Sequence, residues 1–159
     1  MAAPAISAST RYIPEGVTHY YYVPSIANTA SPTRSELNAG TDLTPEVAAA
    51  GDWAINGNAV AAPDLASLFD SQVSGKTSMG TTTLDMYASS NSTDVRQLLP
   101  RGTTGYVVKF PEGDVSGRTM DVFKVTVLAQ PKPTNMGNPS VIQLQFVVNK
   151  TPNENVTVP

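Results

Sequence analysis

The stretch from Asp94 to Val127, DVRQLLPRGTTGYVVKFPEGDVSGRTMDVFKVTV, constrains the fold more than any other part of the chain. Ser92 or Thr93 can cap a short helix, with Asp94 in its first turn near the positive helix end. Val95, Leu98 and Leu99 share one side of that helix, and Pro100 ends it. Arg96 lies off this face and Arg101 just past the stop, so both are expected to reach outward. Gly102 and Gly105 read as the helix break and the start of a strand. Tyr106, Val108 and Phe110 then alternate with Val107 and Lys109. After a loop from Pro111 to Gly117, Phe123, Val125, Val127 and Ala129 alternate with Met120, Val122, Lys124, Thr126 and Leu128. The second of these faces is partly apolar, which suits closure by a partner subunit. A segment so poor in His, Cys and clustered carboxylates carries architecture rather than chemistry, and that points to function through assembly.

The rest of the chain reads as β structure with little helix. Residues 1–17 are small, polar and Pro-interrupted, the composition of an arm that a partner must pin. Thr18 to Val23, THYYYV, is a strand whose tyrosines fall on both faces, so both faces are expected to be covered. Thr33 as N-cap and Glu36 closing a capping box predict a short helix stopped at Gly40. Asn56-Gly57 suits a two-residue type I′ hairpin turn. Leu65, Leu68 and Phe69 have helix-like spacing within Pro63 to Lys76, where helix and loop both remain open. Thr77 to Ala88 reads as a strand, with Thr82, Leu84, Met86 and Ala88 on one face and Thr81, Thr83, Asp85 and Tyr87 on the other. A loop from Gln130 to Pro139 precedes the cleanest alternation in the chain, Ile142, Leu144, Phe146 and Val148 inward, Gln143, Gln145 and Asn149 outward. The tail, residues 150–159, has strand composition and can pair with its own sheet or another subunit's. The expected fold is mainly β, a β-sandwich or partial barrel with one or two short flanking helices, in a single domain over residues 1–159.

Composition narrows the function. Charged residues are 14% of the chain, against about 25% in typical soluble domains. A polar surface with little charge is easier to bury against neighbours. It also suits a small extracellular-type β domain. The formal net charge is −3 with Lys and Arg scattered, so there is no basic footprint for gripping nucleic acid. With no cysteine there is no disulfide framework, thiolate nucleophile or Cys-based zinc site. His19 is the only histidine and sits in a Tyr-rich strand, where it reads as structural rather than catalytic. Asp52 with Asp64, and Glu112 with Asp114, read as turn residues, and the spacing of a calcium loop is missing around Glu112. No cofactor is expected, nor any enzymatic activity. No secretory leader or membrane span is evident, and the chain reads as made and used in the cytosol.

Four segments in order carry a resemblance: YVPSIANTASPTRSELNAGTDLT, DVRQLLPRGTTGYVV, GRTMDVFKVTV and ENVTVP. Together they resemble the major tail tube proteins of long-tailed bacteriophages, in particular those of actinobacteria. The resemblance implies a virion protein assembled in the host bacterial cytoplasm. Its subunits would form hexameric rings stacked into a tube. Its partners would be other copies of itself, a tape-measure protein, tail-initiation and terminator proteins, and phage DNA in transit without sequence-specific binding. On this reading Gln143, Gln145, Thr81, Thr83 and Asp85 are candidate lumen residues. Arg96, Arg101, Tyr12, Lys132, Asn135, Val156 and Val158 are candidates for subunit contacts. The rival readings are a β-sandwich binding module with Trp53 or Tyr20–Tyr22 as an exposed aromatic platform, and a tail-terminator or completion protein of related fold.

Overall fold

The computed structural model describes residues 3–159. In chain order its elements are β1 (His19–Val23), α1 (Arg34–Asn38), β2 (Thr41–Asp42), a 3-10 turn (Thr44–Glu46), β3 (Val47–Ala50), β4 (Asn56–Ala61), β5 (Gln72–Ser78), β6 (Thr82–Tyr87), α2 (Val95–Leu98), β7 (Thr104–Phe110), β8 (Thr119–Ala129), β9 (Val141–Val148) and β10 (Asn153–Thr157). The main sheet is ordered β2-β1-β7-β8-β9-β6-β3, with β10 on β8, and β4 and β5 form a separate two-stranded ribbon.

The order of the sheet forces it to curl. β2 and β3 occupy opposite edges, yet only residues 43–46 separate them. Six strand spacings in a flat sheet span about 29 Å, whereas that crossing reaches roughly 18 Å when fully stretched. The sheet is therefore rolled into a partial barrel. Its interior holds Tyr20, Tyr22, Leu84, Phe123, Leu144 and Phe146 around Trp53, with Leu43, Val95 and Leu99 completing the core. The Trp53 ring centroid lies 5.0 Å from that of Phe123, 5.7 Å from Phe146 and 6.1 Å from Tyr20, and its indole N–H donates to the Thr83 carbonyl at 3.2 Å.

A second core covers part of the outer face of the same sheet. Val23, Val108, Phe110, Met120 and Val122 are overlaid there by Ile26, Leu37 of α1, and Val156 and Val158 of the tail. This corrects the expectation that the Met120–Val122 face awaits a partner subunit, because the chain closes it itself. Val156 and Val158 are likewise not free for contacts between subunits. β10 pairs with β8 through Val156↔Met120, and Val158 exchanges backbone hydrogen bonds with Gly117 and Arg118.

Local signals hold where they are complete within a few residues. Thr33 caps α1 and the capping box is closed, the Glu36 carboxylate accepting from the backbone N–H of Thr33 and of Ala27, each at 2.7 Å. Tyr20 and Tyr22 are buried and Tyr21 half-buried, so both faces of β1 are covered. Gly102 has φ +88° in the turn after α2, where Thr103 N–H donates to the Pro100 carbonyl. Gly105 leaves room for the Tyr22 ring, since a Cβ there would sit 2.5 Å from Tyr22 Cε2.

Other expectations fail. Asn56-Gly57 is not a turn: Asn56 pairs with Ser78 and Gly57 with Thr77, and Gly57 has no positive φ. The chain reverses later, beyond Ala62, whose N–H donates to the Ser71 carbonyl at 2.8 Å. No helix forms over Pro63 to Lys76, which gives that reversing loop and β5. The expected strand from Thr77 to Ala88 is interrupted at residues 79–81, its two parts belonging to different sheets. The cap of α2 is Asp94 itself, whose side chain accepts from Arg96 N–H. Leu98 is 37% exposed while Val95 and Leu99 are buried, because α2 is a single turn and cannot present all three to the core.

Candidate assembly surfaces

Three surfaces remain that the chain does not cover. The first is the uncovered half of the outer sheet face. Antiparallel pairing of β6 with β9 sets Thr83 opposite Gln145 and Asp85 opposite Gln143. Four of the five lumen candidates are thereby one cross-strand patch, all half-buried, and Thr81 is exposed at its end. Gln145 Nε2 donates to Gln143 Oε1 at 3.5 Å. Asp85 Oδ1 is buried without a hydrogen-bond partner among the described residues, which is costly unless something outside the chain reaches it. Thr104 and Thr126, opposite each other on β7 and β8, extend the patch. Their hydroxyls are 3.1 Å apart, and Thr126 also accepts from Asn149 Nδ2. Neither threonine is among the lumen candidates from the sequence. The alternation of β8 already places Thr126 off the core face, but only the pairing shows that Val147 of β9 lies opposite it, one step along the outer face from Gln145.

The second surface is the β4–β5 ribbon. Its strand residues are exposed except Gly75. The tip presents Leu65 and Leu68 fully to solvent and Phe69 at 78% exposure. The helix-like spacing of these three suggests a packing face. In the structure they pack on nothing within the chain.

The third surface comprises the segments near the termini and the loop 130–139. The first two residues of the expected arm lie outside the described residues; residues 3–13 form no helix or strand and are exposed, Tyr12 at 48%. Lys132 and Asn135 are exposed on the long loop. Arg101 is exposed and has no ion-pair partner among the described residues. Arg96 does not reach outward. Its guanidinium turns back onto Asp94 at 2.5 Å and onto the Ser89 carbonyl at 3.1 Å. These hydrogen bonds from Arg96 hold the Asp94 carboxyl well below the usual carboxylate range.

The titratable clusters of the chain are committed to structure. Asp114 accepts from both Arg34 guanidinium nitrogens, at 2.5 and 2.9 Å, and from the Tyr21 hydroxyl at 3.1 Å. This ties the acidic loop to α1. Burial, and then the neighbouring Asp114 charge, push the Tyr21 hydroxyl up to about 12. Trp53 is 5% exposed, and Tyr20 and Tyr22 are buried, so they do not form the exposed aromatic platform that a binding module would use. No helix among the described residues is long and apolar enough to cross a membrane.

The described residues thus form a curled β structure whose polar clusters make structural contacts and which leaves a ribbon and a polar sheet face uncovered. The family model described as phage tail tube protein matches residues 7–159. The chain belongs to that family, and is a structural component of the virion. Its fold is also similar to a chain in a solved structure described as "Cryo-EM structure of the anti-feeding prophage (AFP) baseplate, 6-fold symmetrised". There the TM-score is 0.56 at 11% identity, with 96% of each chain covered. No curated protein matches the chain by sequence.

Proposed function

We propose that this protein is the major tail tube subunit of a long-tailed phage, forming hexameric rings that stack around a lumen through which DNA passes on ejection. The observation that carries this reading, beside family membership, is the uncovered patch of Thr83, Asp85, Gln143 and Gln145. It is polar, half-buried and free of Lys and Arg, with Asp85 its one charge, the character of a wall along which phosphates must slide without being held. The similar baseplate structure is 6-fold symmetrised, which is consistent with six copies per ring here. Subunits assemble in the host cytoplasm. Tyr12, Arg101, Lys132 and Asn135 are the remaining contact candidates, and the tape-measure, initiation and terminator proteins are the other partners.

Negative-stain electron microscopy across a concentration series tests the reading: rings or tubes of uniform width are expected, and monomers at every concentration, with the tail-initiation complex added as well as without it, would remove it. Arg101→Glu is expected to impair tubes while leaving the monomer folded; unchanged tubes take Arg101 out of the contact set. For the lumen face, Gln143→Lys with Gln145→Lys should leave tubes intact but slow ejection in a salt-dependent way. Ejection at the native rate would place that face elsewhere.

A further inference from the structure

Asn56-Gly57 is a strong local motif that the fold leaves without a turn to make. Its chemistry remains. Asn56 is the only Asn or Asp in the chain followed by Gly, and glycine, lacking a Cβ, hinders its own backbone nitrogen least in attacking a preceding side-chain amide. Both residues are exposed, and a Cβ built on Gly57 would meet nothing within 4 Å, so solvent and base reach the pair.

The backbone opposes the reaction. Asn56 pairs with Ser78 and Gly57 with Thr77. In an extended strand ψ is about +135°, which turns the Gly57 nitrogen away from the Asn56 side chain. Closing a five-membered ring requires rotation about the Asn56 Cα–C bond, and therefore departure from the ladder. That ladder is weakest here. The two pairs are the last of the ribbon, and a register shift between Gly57 and Ala59 separates them from the remaining pairs. No third strand flanks them, and terminal pairs without such support open at low cost.

We propose that Asn56 is a spontaneous deamidation site that the β4–β5 pairing holds shut, and that fraying of the ribbon base sets its rate. In the open state the Gly57 nitrogen gives its proton to base and attacks Asn56 Cγ. The C–N bond of the side-chain amide breaks, ammonia leaves, and a succinimide remains. Water then opens that ring to aspartate or isoaspartate. Either product adds a carboxylate at the ribbon base. Isoaspartate also adds one carbon to the main chain, so the pair with Ser78 does not re-form in register. An aged subunit thus differs from a fresh one at the root of its ribbon.

Peptide mapping by mass spectrometry, after incubation of the full chain in mildly alkaline buffer, tests this, with isoaspartate methyltransferase labelling to detect the second product. Modification is expected at Asn56 before any other Asn. A free peptide of residues 52–62 should convert at least about tenfold faster than the folded chain, because pairing removes most of the reactive population. Gly57→Ala should lower the rate at least about tenfold. Thr77→Pro with Ser78→Pro, which together remove the ladder donors opposite the site, should raise it toward that of the peptide, and so should urea below the unfolding transition of the wild type. Equal rates in peptide and folded chain would overturn the gating, and faster loss at any other Asn would overturn the assignment. An Asn56 that stays intact in sub-denaturing urea while the peptide converts would show that fraying does not set the rate.

Discussion

Trp53 and Phe69 belong to one excursion of the chain, out from β3 and back into β6, and they meet opposite fates. Trp53, at the base, is 5% exposed among three aromatic rings; Phe69, at the tip, is 78% exposed. What differs is the supply of neighbours. The base lies beside β6, which pairs with β9 on its other side, and the curl of the sheet brings Tyr20 over it. The ribbon has no third strand. A hairpin without one is marginal in isolation, so the tip's apolar residues contribute little to the monomer and are available to assembly. The base serves stability, and the tip adds little to it.

The comparison can be broken from either end. Trp53→Ala should cost about 3–5 kcal/mol in denaturant unfolding; a loss below about 1 kcal/mol would show that the barrel does not depend on its base. Gly105→Ala drives a methyl into the Tyr22 ring and should cost about 1–3 kcal/mol. Thr33→Ala, which opens the capping box, should cost about 1 kcal/mol. Phe69→Ser should change monomer stability by less than about 0.5 kcal/mol while abolishing tubes. A destabilised monomer would mean that the tip packs on its own chain after all.

Acid probes the helix caps of the folded body, where two carboxyls are lowered. Asp94 and Glu36 are both held below their ordinary values by hydrogen bonds, Asp94 chiefly from Arg96 and Glu36 from the backbone N–H groups of Ala27 and Thr33. Their contribution is complete above about pH 4 and is lost as pH falls through the lowered values. Asp94→Asn should therefore flatten the fall in thermal stability below about pH 4, measured by circular dichroism. Tyr21 acts at the other extreme. Its raised value means that its contribution is complete below about pH 10 and is lost as pH rises through about 12.

Features with a period or a fixed offset are legible in the chain. The alternation of Leu84 with Met86, and of Ile142, Leu144 and Phe146, places those residues on the core side before any partner strand is known. The Thr33–Glu36 cap is complete within four residues, so distant contacts do not overrule it. What cannot be read depends on which strands are neighbours. Gln143 and Asp85 stand as separate candidates until β6 and β9 are seen to pair. Asn56-Gly57 is a strong local turn signal, but pairing with Ser78 and Thr77 overrides it. Val156 and Val158 look available because the tail's composition does not say which sheet it joins. The curl itself hangs on β2, two residues long and without any pattern of its own.

The pairing of β1 with β7 has a kinetic side. Each β1 residue meets its β7 partner only across a long span of chain, His19 with Phe110 and Val23 with Tyr106. Chains dominated by such distant pairs fold over roughly milliseconds to seconds, because loop closure comes before any reward. During that interval the edge of the three-tyrosine strand that faces β7 is unprotected, and encounters between unfinished chains compete with closure. Refolding yield should therefore fall with concentration in a way that native assembly does not, so conditions that favour tubes are not those that favour making the subunits.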